Sequence, residues 1–161
     1  MNPKIKILPA KRLIGNSLKM SLSDNKTMEL WQSFMPKKKM IKHTIGKDLY
    51  SIQIYDKSLD FKDFNPKTEF TKCAMIEVDF FEDIPQGMEK RVLEGGLYAV
   101  FLYKGLPKDF PKMAQYVFEE WLPNSAYQLD TREHFEVLGE KYNSTNENSE
   151  EEVWIPIKAS V

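Results

Sequence analysis

Two amphipathic stretches, each ending at a proline and each set between strand-like segments in the same order, constrain this chain more than any other feature. In "NKTMELWQSFMP", Met28, Trp31 and Met35 recur at helical spacing with Leu30 and Phe34 beside them, and Pro36 marks the end. In "DFPKMAQYVFEEWLP", Phe110, Met113, Ala114, Val117, Phe118, Trp121 and Leu122 form one apolar stripe closed by Pro123. Before the first helix runs the strand-like stretch "KIKILPAKRLIGNSLKMSL", with Ser23, Asp24 and Asn25 available as caps. After it come the alternating segments "DLYSIQIYD" and "TKCAMIEVDF". The second helix follows "GGLYAVFLYKG" and precedes "HFEVLG" and "EVWIPIK". The order β-α-β-β therefore occurs twice. The predicted fold class is α+β: one domain over 1–161, pseudo-duplicated in halves of roughly 1–85 and 86–161, with the helices packed on one side.

One helix per half covers one face of the strands, so face counting becomes informative. Tyr50, Ile52, Ile54, Ala74, Ile76, Val78, Val153, Ile155 and Ile157 form the expected helix-packed set. The opposite faces carry Ser51, Gln53, Tyr55, Cys73, Met75, Glu77, Glu152 and Trp154, a mixture suited neither to a core nor to water. Three strands sharing it predict a concave surface where the halves meet, lined by aromatics and a few acids.

Composition removes several functions. Lys and Arg number 23 against 24 Asp and Glu, a net charge of −1, so no basic excess points to nucleic acid. The run Lys37, Lys38, Lys39 and Lys42 reads as a solvated helix end. A lone Cys73 allows no internal disulfide and fits a reducing, cytoplasmic setting, and no segment approaches the roughly 20 apolar residues of a membrane helix. His134-Phe135-Glu136 has the H-x-E spacing of zinc deaminases but lacks the P-C-x-x-C that would complete it, so neither metal nor cofactor is expected. Gly95-Gly96 lacks a following G-K-[ST] and reads as a turn, and Cys73 lacks a nucleophile signature with His43 or His134. The polar stretch "NSTNENSEE" interrupts the last hairpin.

"GGLYAVFLYKG", "WLPNSAYQLDTREHFEVLGEKY" and "SEEEVWIPIK", with "DLYSIQIYD" and "FTKCAMIEV" before them, resemble the GyrI-like small-molecule-binding domain, also the effector-binding domain of AraC- and MerR-type regulators. The resemblance covers nearly the whole chain. It implies two SHS2-like halves around a central ligand cleft, with Glu136 at the pocket floor, Trp154 on its wall and Glu152 beside it. Tyr55 and Tyr98 match aromatic positions of the family; Met75 and Cys73 would complete the wall, Cys73 standing where close relatives carry Trp. Small aromatic or cationic molecules are the implied partners, with no DNA-binding segment before the domain, which reads as a stand-alone version. Some relatives are hydrolases that open strained cyclopropanes of DNA-alkylating natural products, a chemistry in which Glu136 would be the base. The family's link to gyrase inhibition implies a third possibility, a protein-interaction role.

Overall fold

The computed structural model describes residues 2–160, in nine strands, two helices and short 3-10 turns. In chain order they are β1 (Lys4–Leu8), β2 (Lys11–Met20), α1 (Thr27–Phe34), β3 (Thr44–Ile54), β4 (Phe70–Val78), β5 (Glu89–Leu93) and β6 (Gly96–Lys104). Then follow α2 (Phe110–Tyr116), continued by a π turn over Val117–Trp121, β7 (Tyr127–Leu129), β8 (His134–Leu138) and β9 (Glu150–Ala159). The sheet runs β1-β6-β9-β8-β3-β4-β2-β5, with β7 paired to the end of β9 and every pairing antiparallel. Exchanging β1 with β5, β2 with β6, β3 with β8 and β4 with β9 leaves this order unchanged.

The predicted first strand is in fact two. Pro9 has no N–H to give a ladder and the chain breaks there; β1 then pairs with β6 of the other half, while β2 pairs with β4 and β5. β5 and β7 were not anticipated, because "EKRVL" and "YQL" are short and carry little alternation. Their topology bends the sheet. β1 ends the sheet on one side and β2 lies next to the other end, yet only Pro9 and Ala10 join them. Glu94 and Gly95 join β5 to β6 in the same way, and the two links touch: a Cβ on Gly95 would lie 2.5 Å from the Leu8 carbonyl oxygen. Only a sheet curled into a half-barrel can satisfy both short links.

Both helices lie on the outside of the curl. α1 packs on β2 and β4, burying Leu30 and Phe34 against Ile14, Ala74, Ile76 and Val78. α2 and its π turn bury Met113 and Val117 against Phe101 and Tyr103 of β6 and Val153, Ile155 and Ile157 of β9. Cross-strand partners share a face, and the run Ala74–Ser51–Glu136–Val153 links the two helix cores directly, which places them on one side. Met28 and Met35, expected in the first stripe, are 74% and 43% exposed; the buried face is set by Leu30 and Phe34.

A third core fills the inside of the curl: Leu8, Leu13, Tyr50, Ile52, Cys73, Met75, Leu93, Tyr98, Phe135 and Trp154. This corrects the face assignment of β3. Tyr50 and Ile52 pack inside the curl instead of under a helix, with Ile54 against the same core, and Ser51 and Gln53 face the helix side. The reason is positional. α1 covers β2 and β4, α2 covers β6 and β9, and the central strands β3 and β8 lie between the two helices.

Candidate functional site

Between the two helices the sheet presents a polar surface, in which Ser51, Gln53 and His134 are buried and Glu136 and Glu151 half-buried. β3 contributes Ser51 and Gln53, β4 contributes Lys72, β8 contributes His134 and Glu136, and β9 contributes Glu151. Alternation fixes the last of these: Glu136 faces Val153, and Glu151 lies two residues before Val153 on the same face. Gln53 Nε2 donates to Glu136 Oε1 at 3.2 Å and to Ser51 Oγ at 3.4 Å. Lys72 Nζ donates to Thr27 Oγ1 at the start of α1, 3.4 Å away. Neither Glu136 nor Glu151 has a cation within ion-pair distance among the described residues.

Burial dominates the electrostatics here. Glu136 is half-buried, and the loss of water raises its pKa to about 7, against the opposing pull of Lys72 and the Gln53 hydrogen bond. Glu151 rises to about 7 for the same reason, reinforced by the charge of Glu136 and opposed by Lys72. Tyr142, from the loop between β8 and β9, is raised by burial and then by both carboxylates, so it lies near the pair. His134 is buried and falls to about 3, so it stays neutral.

One end of the floor is walled by rings. Tyr55 follows β3 and meets His134 edge-on at 4.9 Å, Phe61 at 4.9 Å and Phe64 at 5.9 Å. Phe61, from the 3-10 turn Phe61–Asp63 between β3 and β4, lies nearly parallel to Phe64, Phe118 and His134, with centroids 5.9, 5.7 and 5.5 Å away. Phe118 belongs to the π turn that prolongs α2; Leu122 N–H donates to the Val117 carbonyl, widening the helix at this point. A cavity of about 750 Å³ opens beside these rings, bounded by Tyr55, Phe61, Phe64, Phe118 and His134 and by Asp56, Asp60, Glu119 and Asp130 against Lys62 and Arg132. Glu136 does not line it; it lies two residues further along β8 on the same face as His134.

The residues expected to form one pocket are divided between two faces. Glu136 is on the helix-side floor, and Tyr55 is desolvated there, its pKa raised by burial and then by the Glu136 charge. Trp154 pairs with Phe135 and Val100 and so points the other way, into the curl, where it is 9% exposed and stacks on Phe135 at 5.2 Å. Glu152 shares that face and accepts a hydrogen bond from Trp154 Nε1 at 3.1 Å, and Lys6 Nζ sits 5.7 Å from the indole centroid. Cys73, Met75 and Tyr98 are fully buried in the same core. Burial raises the Cys73 thiol to about 11, and the Tyr98 hydroxyl donates to the Glu133 carbonyl at 2.9 Å. A wall joining Glu136 to Trp154 is thus excluded by register. Glu151, Lys72, Phe61 and Phe118 stand beside the sequence-predicted candidates Glu136 and Tyr55 without having been anticipated; for Glu151 the alternation from Val153 would have sufficed.

The sequence matches the family model of the GyrI-like small molecule binding domain over residues 1–158, and the chain belongs to that family. Solved structures share the fold. SAV2435 bound to tetraphenylphosphonium has a TM-score of 0.74 at 17% identity, covering 98% of this chain and 94% of that one. The C-terminal domain of EcmrR has a TM-score of 0.70 at 14% identity, covering 99% and 98%. A hydrolase from Listeria innocua has a TM-score of 0.60 at 14% identity, covering 98% and 92%. No curated protein matches the sequence significantly. No helix among the described residues is long and apolar enough to cross a membrane.

Proposed function

We propose that this GyrI-like domain binds aromatic, cationic, drug-like molecules in the cleft between its helices, with Glu136 as counter-charge and Tyr55, Phe61 and Phe118 as stacking surfaces, and serves in sensing or sequestering such compounds. The observation that carries the reading is Glu136 itself: a half-buried carboxylate held by one neutral amide, with no cation within ion-pair distance among the described residues, whose charge acts on Tyr55, one of the rings that bound the cavity. A ligand cation supplies the missing charge, and ring faces add about 0.5 to 2 kcal/mol for each cation–π contact. The tetraphenylphosphonium carried by the neighbour SAV2435 has this chemistry. The near-neutral net charge argues against nucleic acid as a partner, and the unpaired Cys73 suits a cytoplasmic location. The halves act as one ligand-binding unit, since the floor draws Gln53 and Lys72 from one and Glu136 and Glu151 from the other.

The test is titration of wild type and Glu136→Gln with tetraphenylphosphonium and with neutral triphenylphosphine oxide, followed by calorimetry. Loss of charge should weaken the phosphonium about tenfold or more and the neutral compound by less than about twofold. Equal losses would show that Glu136 contributes shape alone. One observation favours a hydrolytic second reading: a pKa of about 7 also suits a general base acting on water. Multiple-turnover opening of a strained cyclopropane by wild type, lost in Glu136→Gln, would establish that reading.

A further inference from the structure

The binding reading uses one carboxylate, but the floor holds two. Glu151 faces the helix side with Glu136, diagonal to it across the β8–β9 ladder, a relation that sets the two residues about 7 to 8 Å apart. Among the described residues no cation lies within ion-pair distance of it. The residue opposite Glu151 on β6 is Tyr103, whose hydroxyl donates to the Leu106 carbonyl; Lys141 pairs with the neighbouring Glu150 instead, and Lys72 donates to Thr27. The groups facing the pair are therefore Lys72 from β4, Gln53 and Ser51 from β3, His134 from β8 and Tyr142 from the loop above, of which Lys72 alone is positive at neutral pH.

We infer that Glu151 is a second ligand anchor and that the cleft is specific for aromatic dications whose positive centres are spaced by about one cross-strand diagonal. This rests on the reading of Glu136 given above. Two half-buried carboxylates that share one nearby lysine, on β4, leave an unbalanced negative charge. A monocation meets Glu136 and leaves Glu151 facing it unpaired; a dication pairs both. Burial raises Glu151 first and the charge of Glu136 adds to it; a ligand cation beside Glu151 offsets both.

Ethidium and propidium supply the probes, since they share one phenanthridinium ring system and propidium adds a quaternary ammonium on a short chain. Fluorescence titrations at pH 8.5 should show propidium binding about tenfold tighter than ethidium to wild type, the ratio one partly desolvated ion pair gives. Glu151→Gln should abolish that preference, and its Tm at pH 8.5 should equal or exceed that of wild type, which certifies the variant as folded. Glu136→Gln should weaken both dyes. Because propidium is bulky, benzyltrimethylammonium and para-xylylene-bis(trimethylammonium) form a second pair for calorimetry, with the same preference expected. If the dications show no advantage in either pair, or keep it in Glu151→Gln, the second anchor is refuted and the single-carboxylate reading stands. If wild type binds none of the four, or Glu136→Gln weakens none, the binding reading itself fails and this inference falls with it.

Discussion

Replacing Glu136 with Gln should make the protein more stable, and increasingly so as pH rises. Gln keeps an oxygen to accept from Gln53 and removes only the charge. The carboxyl shifts from 4.5 to about 7 on folding, so between those values the native state holds a proton that the unfolded chain has released. Stability then falls as pH rises through this window, and the penalty becomes constant above the folded pKa. A shift of about 2.5 units corresponds to about 3 kcal/mol at pH 8.5 and about 1 kcal/mol at pH 5. Both are upper figures, because Glu136 keeps some contact with water. The gain from Glu136→Gln should therefore be about 2 kcal/mol larger at pH 8.5 than at pH 5, which for a chain of this length is roughly 4 to 8 °C in Tm. Thermal melts of both proteins at the two pH values measure it directly. A stabilisation independent of pH, or a destabilisation at pH 8.5, would refute the claim that this carboxylate is held against its solvation preference.

Trp154→Ala should cost about 3 to 5 kcal/mol in urea unfolding, as expected for a large ring buried among Tyr98 and Phe135. The folded variant should bind tetraphenylphosphonium within about twofold of wild type, since the indole lies on the far face of the sheet from Glu136; a selective loss of ligand binding would contradict the register. Phe61→Ala removes the ring set between Phe64, Phe118 and His134 and should weaken aromatic ligands about fivefold, one stacking contact, with little change in Tm. Gly15→Ala should fail to accumulate as folded protein, because its Cβ would lie 1.9 Å from the Ala74 carbonyl oxygen where β2 pairs with β4. Normal expression and melting of that variant would refute the close approach. No sequence-selective DNA shift is expected at physiological salt for a chain of net charge −1.

What the sequence made legible is what periodicity reports. The helices, the strands that carry Ala74, Ile76, Val153 and Ile155, and the α+β order follow from spacings of 3.6 and 2. Periodicity says that two faces differ without saying which neighbour each face meets. For β4 and β9 the aliphatic face lies under a helix, and extending that rule to β3 put Tyr50 and Ile52 there as well. The rule fails for the central strands because the curl supplies a second apolar environment, and the curl depends on links of two residues between β1 and β2 and between β5 and β6. Those links matter only once β1 is known to pair with β6, a contact nearly a hundred residues away that no local pattern encodes.

The same physics explains why Glu152 drew attention that belongs to Glu151. Trp154 and Glu152 form an unusual pair by composition, but inside the curl they satisfy each other: the indole N–H donates to the carboxylate, and Lys6 lies over the ring. An oddity with internal partners is structural. Glu151 looked ordinary within "SEEEV", yet it shares a face with Val153, a residue buried under α2, and has no ion-pair partner among the described residues. In a sheet whose outer strands are roofed by helices, polar residues on the helix-facing side of the inner strands are the anomaly with consequences, because folding alone would have replaced them with aliphatics. Ser51, Gln53, His134 and Glu136 fall under that criterion, and Glu151 joins them from β9. Burial raises both carboxyls of this pair, so on the binding reading substitution of Glu136 or Glu151 by Gln should raise stability while lowering affinity for a dication.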